Sequence, residues 1–194
     1  MTYSEKVRGI VSKAQFPFLI LIALFVAWTV FIYRIPPADI IEILGVRNGY
    51  LITFVLAFLG GISTFVPIPY YLFVMTFAAG GLNPFLLGFV AGIGLFLGDS
   101  TSYVIAYHGR EIIPSRIQKT IDRAYEWSLS HPKWLASLAI FSYGAFIPLP
   151  DDLVVMPLGF IHYPYWRLMI PMTLGNIVFN TLAAFIGLYT PHLF

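Results

Sequence analysis

The 194-residue chain contains no cysteine, which removes disulfides, thiolate nucleophiles and cysteine-based metal sites and leaves the redox compartment unread. Charge is scarce as well. Charged residues make up 10% of the chain, against roughly 25% in an ordinary soluble domain, too few to solvate a folded surface. Neither sign dominates: Lys+Arg 11 against Asp+Glu 9 leaves +2, a basic excess too small to suggest a nucleic-acid partner. His108, His131, His162 and His192 are scattered without HExxH or similar metal spacing, and no serine nucleophile elbow or Walker loop occurs. No metal, cofactor or enzymatic activity is therefore expected. What fills the chain instead is hydrophobic residue, 59% of it, with a mean hydropathy of +0.83. One compact membrane domain is the natural reading.

Residues 48–98 and 168–194 carry no Lys, Arg, Asp or Glu, and each region holds apolar runs near the roughly 20 residues that span hydrocarbon. An earlier run, FPFLILIALFVAWTVFIY at 16–33, exceeds the usual length of a secretory signal's apolar core. No small-residue cleavage pattern follows it, so it reads as a retained first transmembrane helix. Lys6, Arg8 and Lys13 precede that helix, and Arg110, Arg116, Lys119, Arg123 and Lys133 fill a central stretch at 108–133. Placing both groups in the cytoplasm, with Arg34 and Arg47 outside and Arg167 near the inner surface, satisfies the positive-inside tendency. The N-terminus is then cytoplasmic, in a multi-pass protein of the cell membrane. In the central stretch Ile113, Ile117, Ile121, Tyr125 and Leu129 recur at helical spacing. This predicts an amphipathic helix, either lying on the inner interface or serving as a solvated connector. A weaker analogue, PPADIIEILG at 36–45, is expected on the outer surface.

Two segments resemble each other. Phe65-Val66-Pro67-Ile68-Pro69 is followed by YYLFVMTFAAGGL and Asn83-Pro84; Phe146-Ile147-Pro148-Leu149-Pro150 is followed by DDLVVMPLGFIHY and Pro164-Tyr165. Met75 and Met156 stand eight residues after the first proline of each motif, and Leu97-Gly98-Asp99 matches Leu174-Gly175-Asn176. Pro-x-Pro cannot sit inside a continuous helix, because each ring removes an N–H donor and clashes with the preceding turn. The flanks, 50–66 and 70–82, then 134–147, are short. They read as half-helices that enter the bilayer, break and return, each hairpin followed by one full helix at 84–107 and 164–190. A hairpin plus one crossing is an odd unit, so the second copy enters from the opposite face. The expected fold is an all-α integral membrane protein: an inverted repeat of re-entrant hairpin plus transmembrane helix, with an extra N-terminal transmembrane helix and an interfacial amphipathic helix. Its parts are an N-terminal region at 1–49 and a repeat domain at 50–194, made of repeat A (50–107), the linker (108–133) and repeat B (134–190). Secondary transporters use this architecture, with half-helix N-termini at the substrate site.

An ionisable residue within a membrane helix costs roughly 2.5–3.5 kcal/mol on insertion scales. Asp99 follows Gly88, Gly92, Gly94 and Gly98 and precedes Ser100, Thr101 and Ser102. It reads as a proton-binding or pathway carboxylate, or as a structural acceptor satisfied by Arg110, the serines or the second repeat. Asp151 and Asp152 open the second returning half-helix. Helix capping accounts for one of them, and mutual repulsion favours proton binding by the other. Their counterparts, Tyr70 and Tyr71, carry no charge, so the helix start at 70–72 keeps free backbone donors suited to an anionic headgroup. Arg110 and Arg167 are further headgroup candidates, Arg167 otherwise snorkelling to the interface. Asn176 and Asn180, one turn apart, line the pathway or hold helices together. Pro67, Pro69, Pro148 and Pro150 form the hairpin tips, and Gly98 and Gly175 allow close helix packing.

Pro-x-Pro hairpin, GDSTSYVIAYHGR at 98–110, then a second hairpin with Gly159 and a closing helix through Gly175: over roughly residues 50–190 this resembles the DedA/VTT (SNARE-associated) family. The resemblance implies two opposed re-entrant hairpins and movement of lipids between leaflets: undecaprenyl phosphate with dependence on the proton gradient in bacterial relatives, phospholipid scrambling in eukaryotic ones. Where many bacterial members carry an acid after the first hairpin's proline this chain has Tyr70-Tyr71, and its acids lie in the second hairpin. The expected function is that of a lipid flippase or scramblase acting on a phosphate-bearing lipid. The alternative is a proton-coupled transporter of a small solute. The expected partners are membrane lipids with anionic phosphate headgroups, and a homo-oligomer is left open.

Overall fold

The computed structural model describes residues 36–62, 69–109 and 133–190, with Ala27 and Glu126 as isolated positions. The apolar run at 16–33, the amphipathic stretch of the linker, Pro67 and Arg110 lie outside the described residues. Among the described residues seven helices follow in order: α1 (Pro37–Leu44), α2 (Val46–Ile62), α3 (Tyr70–Ala79), α4 (Pro84–His108), α5 (Lys133–Phe146), α6 (Asp152–Phe160) and α7 (Tyr165–Tyr189).

Local chemistry sets these boundaries. Pro37 opens α1, and Gly45, at φ 79°, ends it, so that α2 leaves at a bend of 101°. The bend accounts for the early start of α2, whose Asn48 side chain donates to the Leu44 carbonyl at 2.7 Å. Asn83 caps α4 through its side-chain oxygen, which accepts from the Leu86 N–H at 3.1 Å, and Pro84 fills the first helical position. Each break ends alike. The Leu72 N–H donates to Pro69 O at 3.0 Å, and the Leu153 N–H donates to Pro150 O at 3.1 Å. The short helices also close alike, Leu82 N–H donating to Phe77 O at 3.0 Å and Tyr163 N–H to Leu158 O at 2.9 Å. Both closures turn through a left-handed residue, Gly81 at φ 98° and His162 at φ 58°. Asparagine, aspartate and histidine tolerate that region better than other side chains, and His162 is held there by a stack on Tyr107 with ring centroids 3.9 Å apart.

Helix directions follow from which residues meet. Gly88 lies against Thr181 and Gly92 against Ile177, so α4 and α7 run antiparallel. Gly94 meets Ala57 and Gly98 meets Gly61, so α2 runs parallel to α4. Tyr71 packs edge-on to Phe179 and the Met75 carbonyl meets Gly187, so α3 follows α7. In the other half α5 packs on α7, and α6 packs on α4 with Gly159 against Tyr103 and Ala106. Each short helix after a break therefore rests on the long helix of the other half.

Two apolar cores result. Ala57, Val74, Phe77, Leu87, Leu95 and Ala184 form one, and Tyr103, Ile140, Val155, Leu168, Met169 and Met172 form the other. Outward, α7 exposes Trp166, Ile170, Leu174, Leu182 and Ile186 at intervals of four or eight residues, and α4 exposes Phe85, Phe89, Leu97 and Val104. Apolar surface on this scale belongs against lipid. Both long helices are apolar enough to cross a bilayer, and at 1.5 Å per residue each extends about 37 Å, beyond the roughly 30 Å of hydrocarbon. Among the described residues every element is a helix, and the protein is a membrane protein.

Candidate functional site

Between the two cores, α4 and α7 each present a polar side chain directly after a glycine. The two glycines are placed alike: a Cβ on Gly98 would stand 2.5 Å from the Phe58 carbonyl oxygen, and one on Gly175 would stand 2.5 Å from that of Phe141. Without side chains there, α2 closes on α4 and α5 on α7. The next residues, Asp99 and Asn176, then turn inward, only 1% and 3% exposed. Asp99 lies nine residues from the end of α4, about 14 Å along the axis, and Asn176 lies eleven residues into α7, about 17 Å. Both sit near the middle of their spans.

The second break delivers Asp151 to this point. Asp151 occupies the capping position of α6, yet its side chain makes no capping hydrogen bond. Its Oδ2 instead accepts from Asn176 Nδ2 at 2.7 Å, and the same amide reaches Asp99 Oδ2 at 3.5 Å. Capping therefore does not account for Asp151, because the amide arriving from α7 is the donor its carboxylate takes. The Asp99 and Asp151 carboxyls stand within hydrogen-bonding reach of each other, with Asp152 adding a third acid close by. Asp152 is 5% exposed. Two carboxylates so close repel when both are charged, so the pair calls for a proton or another positive charge between them. Asn180 extends the cluster: its amide donates to the Asn176 carbonyl at 2.8 Å, and its side chain lies beside the Tyr70 hydroxyl. Ser102 Oγ donates to Gly61 O at 3.2 Å and ties α4 to the end of α2.

A cavity of about 230 Å³ opens over this cluster. Asp151, Asp152 and Asn176 form its polar floor; Tyr70, Tyr71 and Phe179 form an aromatic wall; Pro69, Pro148 and Pro150 edge it, with Gly60, Gly61 and Gly144 giving it room. The structure thus brings together Asp99, Asp151, Asp152, Asn176, Asn180, Tyr70, Tyr71, Pro69, Pro148 and Pro150. Arg167 is not among them. It is exposed in the first turn of α7, with Tyr163 the titratable neighbour that feels its charge. Of the free donors expected at 70–72, the Leu72 N–H is already taken by Pro69 O, because the proline turn closes on itself; the amides of Tyr70 and Tyr71 remain at the helix start.

Gly61, Gly144 and Phe179 were not evident as site residues from the sequence. The pairs Phe58-x-x-Gly61 and Phe141-x-x-Gly144, each one helix before a Pro-x-Pro, are the sequence signal for two of them. His162, which the sequence marks only as lacking metal spacing, has its Nε2 3.1 Å from the Tyr107 carbonyl, which fastens the end of α6 to the end of α4.

Residues 68–189, more than half of the chain, match the family model described as VTT domain, and the chain belongs to the DedA/VTT family. Neither a curated protein nor a solved structure matches it.

Proposed function

We propose that this VTT-family protein moves a phosphate-bearing lipid between the leaflets of the cell membrane, the headgroup passing through the cavity while the acyl or prenyl tails stay in hydrocarbon. The observation that carries this reading is the position of the cavity. It lies between two proline breaks, at mid-span of two antiparallel helices, over carboxyl groups that hydrocarbon alone would not tolerate. Irregular backbone at such depth is permitted where it lines a wet cavity.

Inverted, re-entrant hairpins suit the helix directions. Since α2 follows α4, α4 opposes α7 and α3 follows α7, the chain reverses between α2 and α3. In this reading each hairpin enters from one face and returns to it, the N-terminus is cytoplasmic, and both tips meet at the midplane. Asp99 and Asp151 supply the acid pair through which a proton gradient drives or biases movement, and Asn176 holds the pair in register.

The test is a leaflet-specific assay in vesicles containing the purified protein and a fluorescent lipid, with and without a pH gradient. Protein-dependent loss of leaflet asymmetry supports the proposal. Asymmetry that persists as in protein-free vesicles refutes it, and acidification driven by a solute without lipid movement favours the small-solute transporter instead. Cysteine scanning of the naturally cysteine-free chain tests the hairpins: positions 69 and 148–150 at the outer surface would exclude a midplane tip.

A further inference from the structure

We infer that Tyr143, on α5, is a positioning residue for the acid pair: it braces the second proline break from behind and so aims the Asp151 carboxylate at Asn176. This rests on the lipid-transport reading and adds to it the side chain that sets where the second tip stands.

A Pro-x-Pro break is poor in the groups that hold backbone in place. Pro148 and Pro150 carry no N–H, and across 147–151 the one backbone bond between the stretch's own residues runs from the Leu149 N–H to Ile147 O, at 2.8 Å. Tyr143 spans this gap from both sides. Its backbone carbonyl accepts from the Ile147 N–H at 3.0 Å, where α5 ends. Its hydroxyl donates to the Pro150 carbonyl at 2.9 Å, one residue ahead of Asp151. The ring packs on the second core, so packing fixes the direction of the hydroxyl.

Asp151 needs such a brace. Its side chain makes no capping hydrogen bond, so its 2.7 Å contact with Asn176 Nδ2 depends on where the break holds its backbone. N–H···O bonds reach only slightly past 3 Å, and a shift of about 1 Å at Pro150 would break this one. Tyr143 itself does not line the cavity, although Gly144 and every residue from Ile147 to Asp152 do. It touches no passing headgroup, and its effect on transport therefore comes through Asp151.

The first break shows the same device reversed. In Phe58-x-x-Gly61 and Phe141-x-x-Gly144, Gly60 occupies the place of Tyr143. That place is filled from the other side of the break: a Cβ on Gly60 would lie 2.7 Å from Cδ1 of Tyr70. Tyr70 directly follows Pro69 as Asp151 directly follows Pro150, so the first tip carries its own brace, with the ring on α2 and the hydroxyl beside Asn180. One tyrosine crosses each break. Because α5 supplies it in the second half, the position after Pro150 is released to carry a carboxylate, whereas the position after Pro69 is not. This accounts for the acids standing at one tip and not the other.

The experiment compares two hydroxyl deletions in the full-length protein. Tyr143→Phe keeps the ring in the core and removes the brace; Tyr165→Phe, the control, loses the 2.7 Å bond to Ser100 Oγ at the start of α7. Exchange of acyl-labelled phosphatidylglycerol is followed in phosphatidylglycerol vesicles, and thermal unfolding in detergent. We expect Tyr143→Phe to slow exchange about fivefold, the scale of one hydrogen bond. Tyr165→Phe should stay within about twofold of the parent, as a site independent of the acid pair. When Asn176→Leu is added, the melting-temperature losses of Tyr143→Phe and Asn176→Leu should overlap, the double variant losing less than about two-thirds of their sum, whereas those of Tyr165→Phe and Asn176→Leu should add. Exchange at the parent rate in Tyr143→Phe, or additive melting losses with Asn176→Leu, overturns the inference while leaving lipid transport intact. Should the parent itself move no lipid, the transport reading fails, and the overlap in melting losses still decides whether Tyr143 holds Asp151 on Asn176.

Discussion

Replacing Gly98 or Gly175 with alanine tests the matched contacts that frame the acid cluster. A Cβ at 98 would lie 2.5 Å from Phe58 O and 2.7 Å from Gly61 Cα; at 175 it would lie 2.5 Å from Phe141 O and 2.9 Å from Ala145 N. Ordinary contact begins at 3.4 Å, so in each variant the helix pair has to part by about 0.9 Å. The obstructing atoms are backbone and cannot rotate aside, which puts the cost near the upper end of overpacking, about 3 kcal/mol. Alanine's better helix propensity returns about 1 kcal/mol. The net loss is about 2 kcal/mol, roughly a thirtyfold fall in the folded fraction ratio, and of similar size at both positions. Thermal unfolding of the purified variants in detergent, followed by loss of the monodisperse peak, measures it. Transport should fall as well, because Asp99 and Asn176 are carried outward with their glycines. Melting of either variant at the wild-type temperature, or a severe defect in one beside none in the other, would refute the matched-contact argument.

Asp99→Asn should insert and fold like the parent while impairing transport, measured as membrane-fraction yield against leaflet exchange; unchanged flux would demote Asp99 to a structural acceptor. Asn176→Leu keeps volume but removes the donor shared by Asp151 and Asp99. We expect it to cost about 1.5–3 kcal/mol and to abolish exchange; a neutral thermal-shift result counts against the bridge. At His162, glycine relieves the left-handed strain whereas alanine keeps the strain and loses the stack. His162→Ala should therefore melt below His162→Gly by about 1 kcal/mol, and the opposite order would deny any strain at that turn.

What the sequence could convey depended on how local the cause was. Asn83-Pro84 marked the start of α4 because cap and proline act within one turn, and the Pro-x-Pro pairs marked the breaks because each ring acts on its own neighbours. Spacing also matched Asp99 to Asn176 as repeat counterparts, through Leu-Gly-Asp and Leu-Gly-Asn, but did not convey that the two side chains meet. Asp151 was harder: a carboxylate at a helix start reads as a cap, and only the arrival of Asn176 from α7 redirects it. Gly61 and Gly144 become meaningful once their partners stand beside them, 37 and 31 positions onward in the chain. Arg167 carried two readings, and its exposed position in the first turn of α7 fits the interfacial one.

The crossed packing of the short helices has a consequence for biosynthesis. While the ribosome is still adding the linker, α3 has been made but α7, the surface it will rest on, has not. The nascent first half must wait in the bilayer with the face of α3 that will meet α7 uncovered, sheltered by lipid or by the insertion machinery, until the final span arrives. Truncations ahead of α7 should therefore be cleared by quality control instead of persisting as stable halves, and the two halves made as separate polypeptides should each depend on the other for survival.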